Sequence, residues 1–441
     1  MEIVNIPIGD IKQFEFNAKL HPKDQVEQIK RSILEFGFND PIAIDENNVL
    51  IEGEGRLLAQ REIGAETIPC IRLNHLTDAQ KRAYVLAHNK LTLNSGFDLE
   101  RLQSELKFLS AHTFDVSLTG FDATELNDLL YGKTLDDIKD DKFDVDKAAQ
   151  EIKTPVSRRG DLWRLGKHLL VCGDSTKPAD LSLLMQDDKA RYVFTDPPWN
   201  VNYGSVGRGK DRKERLINAK IVNDAMSTEQ FYKFLLSAFS NISTVIEPGA
   251  MVYVVMAAKE WGNIMTVMAD AGYHWSSTII WAKDIFVRGR KDYHHQYEPI
   301  WCGMFGAEPF CHMAENEPAY TSVWYGWQGD RRVCPLKDRK QSDVWQIKRH
   351  YASPEHPTMK PVELVARALL NSSRSGDIVL DAFAGSGTLA IAADQTDRIA
   401  RMLEIDPVYC DVIVKRFAAF APDTEIILER EGINTPISAV M

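Results

Sequence analysis

Residues 378–388 read IVLDAFAGSGT, an apolar strand pattern that leads into a glycine turn and then into a helical pattern. Gly385 and Gly387 allow the backbone to turn tightly and to approach a ligand closely. A second strand pattern at 401–406, RMLEID, carries Glu404 about 20 residues further on. An acidic residue at that offset is well placed to hydrogen-bond ribose hydroxyls. The two features together predict a nucleoside site.

The same stretch lacks the features that bind phosphates. Leu389 and Ala390 follow Gly387 where a dinucleotide fingerprint would have its third glycine, and no lysine is present for a phosphate loop. A nucleoside without phosphates, such as S-adenosylmethionine, suits this pattern. The alternative is a glycine turn that only packs.

Outward from this turn, apolar strand patterns alternate with helical patterns through the second part of the chain. The predicted strands are Leu169–Cys172, Tyr192–Thr195, Ala250–Met256, Ser277–Trp281, Ile300–Gly303, Ile378–Asp381 and Arg401–Glu404. This rhythm predicts an α/β fold with a doubly wound, mostly parallel sheet and helices on both faces.

The strand pattern at 191–195 ends in Asp196, Pro197, Pro198 and Trp199. Two successive prolines cannot continue a central strand, so they predict a rigid turn at the sheet edge where ligands bind. The Asp196 carboxylate and the Pro197 main-chain oxygen can accept the two hydrogens of an exocyclic amine, while Trp199 stacks on a flipped base. The alternative is a turn with a structural, helix-capping aspartate.

Local charge matters more here than the net charge of −11. The stretch 331–349 has a net charge of +5, and a second basic cluster lies within 208–220. Both predict a face that contacts DNA phosphates, with an ordinary solvated face as the alternative.

Composition excludes several classes of protein. The six cysteines form no Cys-x-x-Cys pair, which predicts free, mostly buried thiols rather than a disulfide framework. Cys302, Cys311, His312 and Cys334 fit no common zinc spacing, so no metal is expected. No run is long enough to span a membrane and residues 1–10 carry no signal pattern, so a cytoplasmic location is expected.

Residues 133–157 are acidic and almost without apolar periodicity, which predicts an exposed linker between residues 1–132 and 158–441. The first part is predicted to be α+β. Its signals include a helix at 23–36 that ends at Gly37 and a hairpin turn at Asn47-Asn48.

With both motifs in hand, residues 158–418 resemble the permuted (beta-group) amino-group DNA methyltransferases, in which the catalytic motif precedes the cofactor motif. The resemblance implies a Rossmann-like fold, double-stranded DNA as partner, S-adenosylmethionine as cofactor, no metal, and a target-recognition region at 283–350. It also implies a set of cofactor-binding residues from the glycine turn, the 401–406 strand, the segment LLVCGDS at 169–175 and the segment HPTMKPVEL at 356–364. These residues are Asp381, Phe383, Gly385 and Gly387 at the methionine end, Glu404 at the ribose, Asp174 near the adenine, and Lys360 over the carboxylate side.

The first part resembles the ParB-like N-terminal domain. GEGRLLA at 53–59 is similar to its phosphate-loop box, and LTDAQKRA follows at 76–83. In segregation proteins this box binds a nucleotide, usually CTP, although Gly55 here replaces the usual His or Arg. Glu54 and Arg56 are therefore candidate phosphate contacts, and a structural ion pair at a helix start is the alternative.

The domain combination is similar to phage- and prophage-type methyltransferases, whose front domain is expected to recruit DNA, a partner or the second half of a homodimer. The predicted function is site-specific transfer of methyl to adenine N6 in duplex DNA, as in restriction–modification. Cytosine N4 methylation, RNA or protein-glutamine methylation, and a non-catalytic ParB-like DNA-binding adaptor are the alternatives.

Overall fold

The computed structural model describes residues 3–14, 19–93, 97–201, 224–287, 295–306, 342–348 and 359–441. The chain divides into two compact units, Met1–Tyr131 and Gly132–Met441. Each unit mixes helices and strands, so the predicted α+β front part and α/β second part are confirmed.

The first unit contains a four-stranded sheet in its described part, in the order β1-β4-β2-β3. The strands are β1 Ile3–Pro7, β2 Ile42–Ile44, β3 Leu50–Glu52 and β4 Thr67–Arg72. The β2–β3 hairpin turns at the predicted asparagines, since Asn48 adopts a φ of 58°. Asp45 stabilises this turn by accepting hydrogen bonds from the backbone N–H groups of Asn47 and Val49, both at 2.8 Å.

Five α-helices complete the described part of the first unit. They are α1 Lys23–Phe36, α2 Glu54–Ile63, α3 Asp78–Leu93, α4 Leu99–Ala111 and α5 Ala123–Tyr131. Helix α1 ends at Gly37 as predicted, and α2 lies between Gly53 and Gly64, both in the left-handed region. The core beneath them is aliphatic and includes Ile42 and Leu57, neither of which is exposed.

The second unit is built on a sheet that has eleven strands in the described residues, in the order β11-β9-β10-β8-β7-β12-β13-β6-β5-β14-β15. The strands are β5 Leu162–Leu165, β6 His168–Cys172, β7 Ala190–Thr195, β8 Ile246–Val255, β9 Tyr273–Val287, β10 His295–Phe305, β11 Val344–Gln346, β12 Ile378–Asp381, β13 Ile399–Glu404, β14 Ile426–Arg430 and β15 Ile433–Pro436.

The sheet is parallel at its centre, β8-β7-β12-β13-β6, and largely antiparallel on both sides. The prediction of a mostly parallel sheet therefore holds for the central strands only. For the pairs β5–β6 and β14–β15 the reason is the short connection, because strands joined by a tight turn must run antiparallel. Gly166 turns β5 into β6 with a φ of 56°, and Glu431-Gly432 turn β14 into β15 with φ values of 51° and 78°.

Helices lie on both faces of this sheet, as predicted for a doubly wound fold. They are α6 Val145–Glu151, α7 Pro178–Met185, α8 Thr228–Thr244, α9 Trp261–Asp270, α10 Val362–Ser372, α11 Thr388–Gln395 and α12 Pro407–Phe420. One core cluster takes the apolar side chains of α7, α8 and α9, and the other takes those of α10, α11 and α12. The central strands contribute to both, so they are apolar on both faces.

The segment 133–157 is not the exposed linker that its composition predicts. Val145 and Ala148 of α6 pack against Val412 of α12, and the backbone of Lys139 exchanges two hydrogen bonds with the Gln395 side chain, at 2.8 and 2.7 Å. All of these residues belong to the second unit. The prediction was wrong because it placed the acidic side chains of this segment in solvent. Several of them instead form hydrogen bonds to other parts of the second unit.

The described cysteines have the state that the composition predicts. Cys70, Cys172, Cys302 and Cys410 are free and buried, as predicted, while Cys311 and Cys334 lie outside the described residues. Among the helices that the structure describes, none is both long and apolar enough to cross a bilayer. The same part of the chain holds no group of three or more His, Cys, Asp or Glu side chains placed to bind a metal ion.

Candidate active site

The two sequence motifs meet at the centre of the sheet, where β7 and β12 are parallel neighbours. From β7 the next strand, β8, is added on one side, and from β12 the next strand, β13, is added on the other. A crevice forms at the carboxyl ends of strands where the winding reverses in this way. Thr195, the last residue of β7, spans it by donating a 2.7 Å hydrogen bond from Oγ1 to Oδ1 of Asp381.

Asp196 follows β7 directly and is the first residue of the tetrapeptide 196–199. Its Oδ1 accepts a 3.0 Å hydrogen bond from Nε1 of Trp199, and its Oδ2 lies 2.5 Å from Nζ of Lys360. Burial raises the pKa of Asp196 above its ordinary value, while the Lys360 ammonium acts in the opposite direction. A cation therefore supports a carboxylate that has been removed from most of its water.

The turn after β7 is held in place beyond the tetrapeptide as well. Asn200 has a φ of 55°, and its Oδ1 accepts a 2.7 Å hydrogen bond from the backbone of Met226. Asp224 accepts a 3.1 Å bond from the backbone of Val201. These bonds fix the backbone that follows Pro197, Pro198 and Trp199, and so restrict the position of the Trp199 ring.

A buried chain of alternating charges leads away from Asp196 through Lys360 to Glu298 and Lys283, which belong to no sequence motif. Lys360 Nζ lies 3.6 Å from Glu298, and Glu298 on β10 pairs with Lys283 on β9. Both ammonium groups also lie over tryptophan rings, Lys360 at 4.8 Å from the Trp199 centroid and Lys283 at 4.9 Å from that of Trp281.

Asp381 ends β12 and is only 7% exposed. Besides the Thr195 hydroxyl, its Oδ1 accepts a 3.0 Å hydrogen bond from the backbone of Phe383, which closes the start of the turn. Burial raises the pKa of Asp381 to about 7, and the negative charge of Asp196 acts in the same direction. Asp381 is therefore a buried carboxyl group whose charged form is less favourable than it would be in water.

The turn itself requires both predicted glycines. Gly385 and Gly387 have φ values of 53° and 78°, a region that side chains rarely adopt. At Gly387 a Cβ atom would lie 2.8 Å from the side chain of Ile413, so the turn also packs against α12 at this point. The tight turn that the sequence predicts at these glycines is present.

Glu404 ends β13 and supports the turn from behind. Its Oε2 accepts a 2.7 Å hydrogen bond from the backbone of Gly385, and its Oε1 accepts a 2.9 Å bond from the backbone of Asp406. Burial raises the pKa of Glu404 to about 7, with Asp406 and Asp381 adding to the effect.

Asp174 lies one strand further along, after β6. The backbone N–H of Gly173 donates to the Glu404 carbonyl at 2.9 Å, which holds the two strand ends together. Asp174 in turn accepts hydrogen bonds from the backbone and hydroxyl of Thr176, at 3.0 and 2.7 Å. The motif residues at the carboxyl ends of β7, β12, β13 and β6 thus lie along one end of the sheet, in the order of those strands.

Phe383, also in the turn, faces the opposite helical layer. Its ring meets that of Phe234 on α8 at 5.9 Å in an edge-to-face arrangement. An apolar wall therefore lies beside the carboxylates of the crevice.

The candidate residues of the first unit have mainly structural contacts. Arg56 forms ion pairs with Asp40 and with Glu52, the latter at 2.5 Å. Glu54 accepts a 3.4 Å hydrogen bond from Gln13. At Gly55 a Cβ atom would lie 2.8 Å from the Ile29 side chain of α1, so a larger residue here would require that side chain to move. These contacts favour the structural role of Arg56 over nucleotide binding.

Several sequence-based predictions concern residues outside the described part of the chain. These are the basic stretch 331–341 with Arg349, the cluster 208–220, the segment 356–358 and most of the target-recognition region at 283–350.

Two family models match this chain. One, described as DNA methylase, matches residues 190–415, just over half of the chain and all of the crevice except Asp174. The other, described as the ParB-methyltransferase HTH domain, matches residues 100–159.

Curated proteins resemble each part. The type II methyltransferase M.HpaI of Haemophilus parainfluenzae is 25% identical over 254 residues, which cover 56% of this chain and 73% of the relative. The DNA adenine methyltransferase YhdJ of Escherichia coli is 27% identical over 234 residues, 51% of this chain and 74% of the relative. The ParB-like nuclease domain-containing protein YnaK of the same organism is 37% identical over 82 residues, 19% of this chain and 94% of the relative.

Proposed function

The chain belongs to the DNA methylase family, with a ParB-like domain in front, and on that premise we propose that it transfers a methyl group from S-adenosylmethionine to adenine N6 in duplex DNA. The observation that carries the proposal is the junction of β7 and β12, where Asp196 and Asp381 follow adjacent parallel strands. An amine-activating turn and a nucleoside-binding turn thus share one crevice.

The Asp196 turn has the chemistry that an exocyclic amine needs. The nitrogen lone pair of adenine N6 is delocalised into the ring, which makes the amine a weak nucleophile. The Asp196 carboxylate and the Pro197 carbonyl accept its two hydrogens and favour a tetrahedral nitrogen, while Trp199 stacks on the flipped base. This is catalysis by positioning and electrostatics.

The crevice fits a cationic nucleoside better than a dinucleotide. Asp381 and Glu404 are buried carboxyl groups whose pKa values burial raises to about 7 each, so a positive ligand would stabilise their charged forms. A pyrophosphate beside them would be repelled. S-adenosylmethionine, when bound, supplies an electrophilic methyl group on a sulfonium centre.

The proposed cofactor contacts follow the edge of the sheet. Asp381, Phe383, Gly385 and Gly387 would surround the methionine end, Glu404 the ribose and Asp174 the adenine, with Lys360 between the cofactor and Asp196. Lys360, which contacts Asp196 in this structure, would hold the cofactor carboxylate.

Adenine is favoured over cytosine because, by the resemblance to amino-group methyltransferases, a tetrapeptide that begins with aspartate is typical of adenine enzymes, and a relative named as a DNA adenine methyltransferase aligns over half of the chain. Cytosine N4 is the second candidate, since the same two acceptors serve either amine.

The decisive experiment measures transfer of labelled methyl from S-adenosylmethionine to duplex DNA, with nucleoside mass analysis of the product. We expect N6-methyladenine from the wild type and a loss of at least about 100-fold in rate for Asp196→Ala. Asp187→Ala is the matched control, because Asp187 is exposed and precedes β7 at the opposite end of the strand. If the product is N4-methylcytosine, the target base is cytosine and not adenine. If only RNA or protein is methylated, the proposed DNA substrate is wrong. Equal activity in wild type and Asp196→Ala would contradict the mechanism.

A further inference from the structure

A buried arginine holds the back of the glycine turn. Arg416 on α12 is only 1% exposed, and its Nη1 donates to the carbonyl of Ser386 at 2.9 Å and to Oγ1 of Thr388 at 3.2 Å. Ser386 lies between the two glycines that form the turn. The position of the turn therefore depends on where this guanidinium lies.

The charge of Arg416 is balanced from the segment that precedes the methyltransferase core. Asp141 accepts from Nε at 2.6 Å and from Nη2 at 3.0 Å, a bidentate pair. A buried guanidinium needs such a partner, because removing water from an uncompensated charge is costly. Asp141 lies outside the matched DNA methylase region and inside the region that matches the ParB-methyltransferase HTH domain.

The two residues before Asp141 bind the neighbouring helices. Asp140 Oδ1 accepts a 2.8 Å hydrogen bond from the backbone of Val362, the first residue of α10, two positions after Lys360. Lys139 exchanges its two backbone hydrogen bonds with Gln395, the last residue of α11. Three consecutive residues thus connect three helices, two of which begin at the crevice.

We propose that Lys139–Asp141, here called the acidic strap, is part of the cofactor site, and that Asp141 is a positioning residue acting through Arg416. The strap touches neither substrate nor reacting atoms. It sets the position of the glycine turn against α12 and fixes the start of α10, two residues after Lys360. This inference rests on the proposed use of S-adenosylmethionine.

The strap predicts a selective effect on the cofactor. Asp141→Asn leaves Arg416 without its charge partner, so the guanidinium shifts and the turn follows. We expect the dissociation constant for S-adenosylhomocysteine, the product of the cofactor, to rise about tenfold. This is the size of effect seen when a metal ligand loses the group that hydrogen-bonds to it from behind. The KM for S-adenosylmethionine should rise with it, while the KM for DNA and kcat at saturating cofactor change far less.

The test uses the full chain and isothermal titration with S-adenosylhomocysteine, together with thermal unfolding and steady-state kinetics. Asp136→Asn is the matched control, since it removes the same charge from an exposed position five residues earlier. Gln395→Ala is the second variant. It removes the strap's bonds to α11 without stranding a buried charge and should raise the dissociation constant severalfold, so it decides the matter if Asp141→Asn does not fold.

The outcomes separate the two proposals. A wild-type chain that binds no S-adenosylhomocysteine overturns the proposed function and this inference with it. A wild type that binds, with variants that are folded and bind equally well, overturns the strap alone. Lowered thermal stability with an unchanged dissociation constant assigns Asp141 to stability only and likewise overturns the inference.

Discussion

Asp381 illustrates how a single residue can make a crevice sensitive to pH. It is 7% exposed, and burial raises its pKa from an ordinary 3.8 to about 7. A carboxyl group with a raised pKa in the folded chain favours folding while it is protonated, and this contribution is lost as the pH rises through the folded value. The window is therefore the interval between these two pKa values.

We expect Asp381→Asn to become more stable relative to wild type as the pH rises from about 4 to about 7, by about 1 kcal/mol for each pH unit, and then to level off. The wild type loses stability in this window because the Asp381 carboxyl group loses its proton at a lower pH in the unfolded chain than in the folded chain. The asparagine amide does not titrate, so the variant shows no such loss. Urea unfolding at several pH values measures the difference. The exposed Asp187→Asn is the control, and a difference independent of pH would contradict the assignment.

The buried and exposed ion pairs of the second unit allow a direct comparison. Glu298→Gln breaks a pair with Lys283 in which both side chains are less than 10% exposed, so we expect a loss of about 3 kcal/mol in unfolding free energy. Glu247→Gln breaks the surface pair with Arg191, whose side chains are 36% and 45% exposed, and should cost less than about 1 kcal/mol. Equal losses in chemical denaturation would show that burial is not the deciding factor.

At the scale of elements, the glycine turn and its helix act together. Gly387→Ala adds a methyl group 2.8 Å from Ile413 at a φ of 78°, so we expect a loss of about 3 kcal/mol and weaker binding of S-adenosylhomocysteine. Gly376→Ala has a similar φ of 83° but open space, and should cost only about 1 kcal/mol without affecting binding. Unfolding and titration of both variants separate backbone strain from packing, and identical behaviour would refute the packing contribution.

The elements that the sequence predicts best are the central strands. Ile378–Asp381 matches β12 to the residue, because a strand buried on both faces is a continuous apolar run that ends at a turn signal. Strands β5, β11, β14 and β15 were missed, since short strands outside the parallel centre carry little pattern. Likewise α6 was hidden by its acidic residues.

The site divides in the same way. The motif residues around Asp196 and Asp381 are local patterns, so they could be found along the chain. Glu298, Lys283 and Arg416 acquire their roles from partners that are distant in sequence, and periodicity carries no information about such partners. The function of Asp141 depends entirely on Arg416, 275 residues away.

For the whole molecule, the boundary between the two units can be tested by limited trypsin digestion. We expect the first cut within residues 132–157 after Lys133, which is exposed at the unit boundary, and slower cutting after Lys139, whose backbone is bound to Gln395. Mass analysis of the new N-termini over time measures this order. Equally rapid cutting after Lys139 and Lys142 would instead favour the linker that composition predicts.

The pairing of β7 with β12 has a consequence for synthesis on the ribosome. More than 180 residues separate Thr195 from Ile378, so one edge of β7 lacks its partner while that length is translated, about 10 to 40 s at ordinary bacterial rates. Throughout this interval an apolar strand with unpaired backbone groups is available to other chains. Expression yield and chaperone dependence should therefore respond to translation speed between these two strands more than to changes elsewhere in the gene.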